Sequence, residues 1–190
     1  MQHEPSKQSS PDARPSTPWN KGTLVGSKPP LKPKQVWSIR MNLHREGHLR
    51  DLSLFDLAID SKLRGCDLVR LRIGDLVVNT APRHRAMIVQ QKTGKPVQFE
   101  LTEQTRESLV AWLTHRGGSL ADVVFPSRVD PSAHIGTRQY ARLVGDWVEA
   151  IGLNRAAYGT HSLRRTKVAL IYKRTGNLRA VQILLGHTKL

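Results

Sequence analysis

Cysteine is almost missing from this 190-residue chain, where Cys66 stands alone. One thiol closes no internal disulfide and builds no cysteine-rich metal site, and it suits a reducing cytoplasm. Aromatic side chains make up only 5% of the residues. That leaves little ring surface on which the bases of a single-stranded nucleic acid could stack. No apolar run approaches the ~18 residues of a membrane span, and the N-terminus has no apolar leader core. The sequence offers no carboxylate cluster for a divalent metal. A cytoplasmic protein is therefore expected, with no membrane, no metal, no cofactor and no small-molecule substrate.

Positive charge is plentiful. Thirty Lys+Arg face fifteen Asp+Glu, for a formal net charge of +15. The first 35 residues hold six cations and two anions, so +11 falls on the rest. A charge that large on a small body self-repels unless a polyanion is the partner. Nucleic acid is the first candidate, because neutralising phosphates releases counterions. An inert basic surface, or a ribosomal-type protein, is the rival reading of charge alone. Residues 1–35 are rich in Pro, Ser, Lys and Gln and nearly devoid of aliphatic side chains. Such a stretch buries too little apolar surface to offset its ordering entropy. It reads as a disordered basic arm, and the folded domain as residues 36–190, starting near Lys34.

Apolar periodicity sets the elements of that domain. Val36, Ile39 and Leu43 mark one helix, and Leu54, Leu57 and Ala58, widened by Leu52, Phe55 and Ile59, mark a second after a turn at Gly47. A third follows Gly65 and is expected to stop at Gly74. The period then changes. Residues 75–79, 85–91 and 96–101 are short and β-branched, separated by turn signals, and predict one three-stranded antiparallel sheet. Helices return over 102–116 with Thr102 as N-cap, over 136–152, over 161–175, and over a short segment at 177–187. Residues 121–135 read as a loop with an extended piece at Val123 to Phe125. Trp37, Trp112 and Trp147 are expected in the core. The fold class is mainly α with a small antiparallel β-sheet.

Four groups far apart in sequence carry chemistry. Arg64 opens a helix, where free N–H groups and the dipole already favour an anion. Lys92 and Lys95 sit at the tip of a hairpin. His161 and Arg164 share a helix face at i, i+3. His187 follows the glycine turn of Leu185-Gly186-His187. Two guanidiniums can grip a phosphodiester and neutralise a pentacovalent phosphorane. A His can take a proton from a nucleophile, and a Lys can give one to a leaving alkoxide. Such metal-free phosphoryl transfer calls for a protein nucleophile.

The set resembles the tyrosine recombinase (phage integrase) family. The family has an Arg in a G-L-R-x-x-E-L block, a hairpin Lys, an H-x-x-R pair and an L-G-H motif. Here these are Arg64 in KLRGCDLVRL, Lys92, His161 to Arg164, and Leu185 to His187, with Asp67 where the family often has Glu. The resemblance runs over about residues 34 to 190. It implies a recombinase catalytic-domain fold and double-stranded DNA as partner, with other recombinase subunits on that DNA. It also implies roles: Arg64 and Arg164 clamp the scissile phosphate, Lys92 protonates the leaving 5′-hydroxyl, His161 acts as base or phosphate donor, and His187 binds a non-bridging oxygen. Asp67 supports the scaffold. Lys62, Arg83, Arg85, Lys95, Arg138, Arg165 and Lys167 are assigned to the DNA. The family's nucleophilic Tyr lies soon after L-G-H, a place that Tyr140, Tyr158 and Tyr172 do not occupy. The expectation is a domain cut off before its nucleophile, monomeric in free solution. The rival functions are a catalytically inactive DNA-binding remnant and, more remotely, a metal-free nuclease or RNA binder.

Overall fold

A computed structural model describes residues 26–177 and 179. Two helices packed on each other start it, α1 (Pro33–Arg45) and α2 (Leu49–Ser61). The turn between them uses Gly47 at φ +67, a left-handed conformation that costs glycine little. α2 is the central post: Leu54, Phe55 and Leu57 are fully buried, and every residue from Leu52 to Ser61 is buried. Its polar residues therefore need partners. Arg40 of α1 supplies one, its Nε 2.7 Å from Asp56 Oδ1.

After α2 come two short helices, α3 (Gly65–Val69) and α4 (Ile73–Leu76). Gly74 does not stop a helix as expected but lies inside α4. Its N–H donates to Leu120 O at 2.8 Å, and an added Cβ would meet that oxygen at 3.0 Å. The single three-stranded sheet is also corrected. Asp75 and Leu76 belong to α4, and the strands form two separate antiparallel pairs. The first joins β1 (Val77–Val78) to β2 (Ala81–Pro82); the second joins β3 (Arg85–Val89) to β4 (Pro96–Glu100). In the second, Ala86 faces Phe99 on the core side, while Met87 and Val89 face outward.

The remaining helices are α5 (Glu103–Arg116), α6 (Thr137–Glu149) and α7 (Thr160–Thr175). The Thr102 side chain accepts from Thr105 N–H at the start of α5, as the sequence indicates. The loop 121–135 has its extended piece, with Val123 bridged to Arg72. Trp112 and Trp147 are buried, and Trp147 meets Phe55 edge to face at 5.7 Å. Trp37 is not core: it is 61% exposed. It neighbours Val36 in sequence, and one step along a helix turns a side chain by about 100° away from the buried stripe.

The ordered body also begins before Lys34. Leu31 is 2% exposed, inside a segment the composition assigns to the arm. The arm's first 25 residues lie outside the described residues, as does most of the short helix expected at 177–187. No helix among the described residues is long and apolar enough to cross a membrane.

The two aromatic side chains give a contrasting test in urea denaturation. Phe55→Ala should cost about 3–5 kcal/mol, the range for truncating a buried Phe. Trp37→Ala should stay within about 0.5 kcal/mol of the parent, as exposed substitutions do. Equal losses would contradict the packing described.

Candidate active site

Arg64 is the N-cap residue of α3, held extended at φ −67 and ψ 150 where the chain leaves α2. It is half-buried, and its Nη1 donates to Gln90 Oε1 at 2.6 Å. Gln90 follows β3 and is itself buried. It closes the hairpin turn through its own N–H to Lys95 O at 2.9 Å, through Gly94 N–H to its carbonyl at 2.8 Å, and through Thr93 Oγ1 to its side-chain oxygen at 3.0 Å. Asp67, 4% exposed, accepts the Gln91 N–H at 3.0 Å. Two side chains from one short helix thus anchor the root of the tip that bears Lys92 and Lys95, both exposed.

Arg164 enters from α7, one turn into the helix. Its guanidinium pKa lies below the ordinary value, first because burial penalises the charge and then because Arg64 repels it. Asp67 opposes that shift. The fold therefore places Arg164 within electrostatic reach of Arg64 and Asp67. Two guanidiniums crowded beside one buried carboxylate leave a positive surplus that an anion would relieve. His161 precedes Arg164 by three residues on the same helix and is exposed. His187 lies outside the described residues.

The cations assigned to DNA fall into two groups. Arg83, Lys95, Arg138 and Arg165 are exposed, and so is Arg85, which pairs with Glu100 at 2.7 Å. Lys62 and Lys167 are spent internally instead. Lys62, in the left-handed region at φ 56, is 6% exposed. Its pKa is lowered by burial and then by Lys167. Lys167 Nζ sits 2.5 Å from Asp60 Oδ1.

Asp60 is a site residue that the sequence did not reveal. Its Oδ2 accepts from Thr102 N–H (2.8 Å), Thr102 Oγ1 (2.7 Å) and Thr105 Oγ1 (2.6 Å). It lies four residues before Arg64, and Lys167 lies three after Arg164, so this carboxylate ties both arginine-bearing elements to the start of α5. Burial pushes its pKa up, but the bonds from Lys167 and Thr105 outweigh that and hold it below the usual 3.8. Its donors are 42 to 107 residues away. Gln90 was equally hidden; a polar residue between a β-branched strand and a turn is an ordinary sight.

Comparison with known proteins follows the same lines. The model of the phage integrase family matches residues 30–190. A tyrosine recombinase XerC from Xanthomonas campestris pv. campestris is 31% identical over 140 residues, covering 74% of this chain and 41% of that protein. A XerC from Neisseria meningitidis serogroup C is 29% identical over 176 residues, covering 86% and 55%. The chain thus spans about half the length of the curated relatives it matches. Among solved structures, the XerH site-specific recombinase bound to its difH substrate superposes with a TM-score of 0.68 at 18% identity, over 88% of this chain and 50% of that one. That likeness shows the fold.

Asp60 gives a prediction in equilibrium unfolding. Removing one member of a buried ion pair costs about 3–5 kcal/mol, so Asp60→Ala should lose that much at pH 7. A carboxyl with a depressed folded pKa contributes stability that is complete above its unfolded value and is lost as pH falls through the folded one. The parent should therefore lose stability through this group as pH falls below about 3.8, and Asp60→Ala should lack that component of the pH dependence. Parallel pH profiles for the two proteins would refute the assignment.

Proposed function

The chain belongs to the phage integrase family, and from that premise we propose that it binds duplex DNA and holds a scissile phosphodiester for tyrosine-type strand cleavage and rejoining. The observation that carries this reading is the meeting of Arg64 and Arg164 beside Asp67, with Arg164 destabilised by its own desolvation and by its neighbour's charge. A phosphate between the two guanidiniums turns that repulsion into attraction and gains bidentate hydrogen bonds. Charge building on the phosphoryl oxygens in the transition state would be met by donors already in place.

Lys92 would give the proton to the leaving 5′-hydroxyl. It stands on a hairpin whose root is bonded to Arg64 through Gln90 and to Asp67 through Gln91. His161 would accept the nucleophile's proton or donate to the phosphate, and His187 would bond a non-bridging oxygen. Arg83, Arg85, Lys95 and Arg138 would meet the backbone on either side, in register-setting contacts that carry no sequence information. Other recombinase subunits would share that DNA, in the cytoplasm. The relatives carry the name tyrosine recombinase, and the attacking group would be a tyrosine. Tyr140 does not serve: it is 2% exposed, and burial drives its phenol pKa far above the usual value. The second reading keeps the binding without the chemistry: a catalytically inactive DNA-binding remnant.

Duplex binding should weaken steeply with salt, the slope of log K against log salt being about −0.9 per phosphate neutralised. Arg164→Ala should reduce that slope by about 1. In a form extended through a tyrosine, on a cognate site selected from a random duplex pool, the parent should form a 3′-phosphotyrosyl adduct. Arg164→Ala should slow it by roughly 10²–10³, the cost of removing one preorganised donor. Salt-insensitive binding would refute DNA-backbone contact. An undiminished adduct in Arg164→Ala would refute the clamp. Binding with no adduct in the extended form would leave the second reading.

A further inference from the structure

Residues 28–31 lie across the beginning of α7 and are fastened there at several points. Lys28 Nζ donates to Tyr158 O at 2.6 Å, just before the helix. The Lys28 carbonyl accepts from Arg165 Nη1 at 2.8 Å, inside the helix. The Leu31 N–H donates to Thr166 Oγ1 at 3.0 Å, and that hydroxyl donates onward to Ser162 O at 2.7 Å. The Leu31 side chain is 2% exposed and Thr166 is fully buried. The Lys28 stem runs over Gly159, where an added Cβ would meet its Cδ at 3.3 Å.

These contacts bracket the H-x-x-R motif. Tyr158 and Gly159 precede His161, and Arg165 and Thr166 follow Arg164. The relay through Thr166 ends on the carbonyl of Ser162, the residue after His161. Only about two turns of helix span these points, and His161 and Arg164 lie between them, so shifting the strap moves the backbone that carries both side chains. The strap also accounts for Arg165. The motif reading assigns it to DNA, but its guanidinium is engaged by a carbonyl 137 residues away.

The geometry points to residues 28–31 as a positioning strap that sets His161 and Arg164 for the phosphate, with Lys28, Leu31 and Thr166 as the positioning residues. None of the three need touch the phosphate; they act through the first two turns of α7. A displacement of about 1 Å in a group that binds a reacting centre can cost on the order of 10²-fold, so a loosened strap should register at the anion site before it registers in global stability. The inference rests on the proposed phosphate clamp, and its test separates the two.

The probe is inorganic phosphate, titrated while the side-chain Nε–Hε resonances of Arg64 and Arg164 are followed by NMR. Thr166→Val removes the acceptor for Leu31 N–H without changing charge, and Thr166→Ser restores it. The expected result is phosphate binding about tenfold weaker in Thr166→Val, near the parent in Thr166→Ser, with the thermal midpoint of the serine variant and parent alike. Leu31→Ala, also charge-neutral, carries the test if the valine variant does not fold. Parent-like affinity in both neutral variants, with binding abolished by Arg164→Ala, would overturn the strap and leave the clamp standing. Phosphate binding that is absent in the parent, or indifferent to Arg164→Ala, would overturn both.

Discussion

Everything at the site depends on one buried carboxylate. Asp60 closes α2, receives the first backbone N–H and hydroxyl of the α5 cap, and holds Lys167 of α7. An isolated aspartate there would be costly, because desolvation opposes its charge. Supplied with these donors it stays ionised, and three helices acquire a common fixed point. Arg64 leaves from one side of that point and Arg164 from another. Their closeness is thus a consequence of a neutralised pair behind them, and the repulsion between them is carried by the fold.

The same logic explains why two lysines of the basic face are unavailable to a partner. Lys167 balances Asp60, and Lys62 is buried beside both. Positive charge in this protein is of two kinds: internal cations that hold helices together, and surface cations on the hairpin and helix starts. Only the second kind contributes to the field that a polyanion meets first.

Periodicity together with turn signals was enough to locate α1, α2, α5, α6 and α7; in α1 Val36, Ile39 and Leu43, and in α6 Tyr140, Leu143, Val144, Trp147 and Val148, recur at helical spacing over about two turns. A cap was legible too, Thr102 at the start of α5. Where the reading departed from the structure, a non-local partner decided. Gly74 lies inside a helix, its N–H taken by the Leu120 carbonyl. Val77 and Val78 are β-branched but find only Ala81 and Pro82 to pair with, so they form a ribbon of their own. Leu31, a lone aliphatic among prolines and lysines, docks because a buried threonine 135 residues later accepts its N–H. At the site, Arg64, Asp67 and Arg164 were legible as a motif. Asp60 and Gln90 were not, since nothing in their neighbours by sequence announces the donors that fold onto them.

Gln90 holds Arg64 with an oxygen that bears no net charge. A carboxylate in that place would compete with an incoming anion for the guanidinium and would itself be repelled by it. A carboxamide competes less and carries no net charge to be repelled. It holds the arginine in place, and displacing it costs one hydrogen bond to a charged group, about 1.5–3 kcal/mol. The hairpin root and the arginine therefore share an exchangeable ligand. An anion displacing Gln90 from Arg64 would be felt directly by the turn, because the same Gln90 oxygen also receives the Thr93 hydroxyl. Occupancy at the arginine and the conformation of the lysine-bearing tip would then be, in thermodynamic terms, linked variables of a single equilibrium.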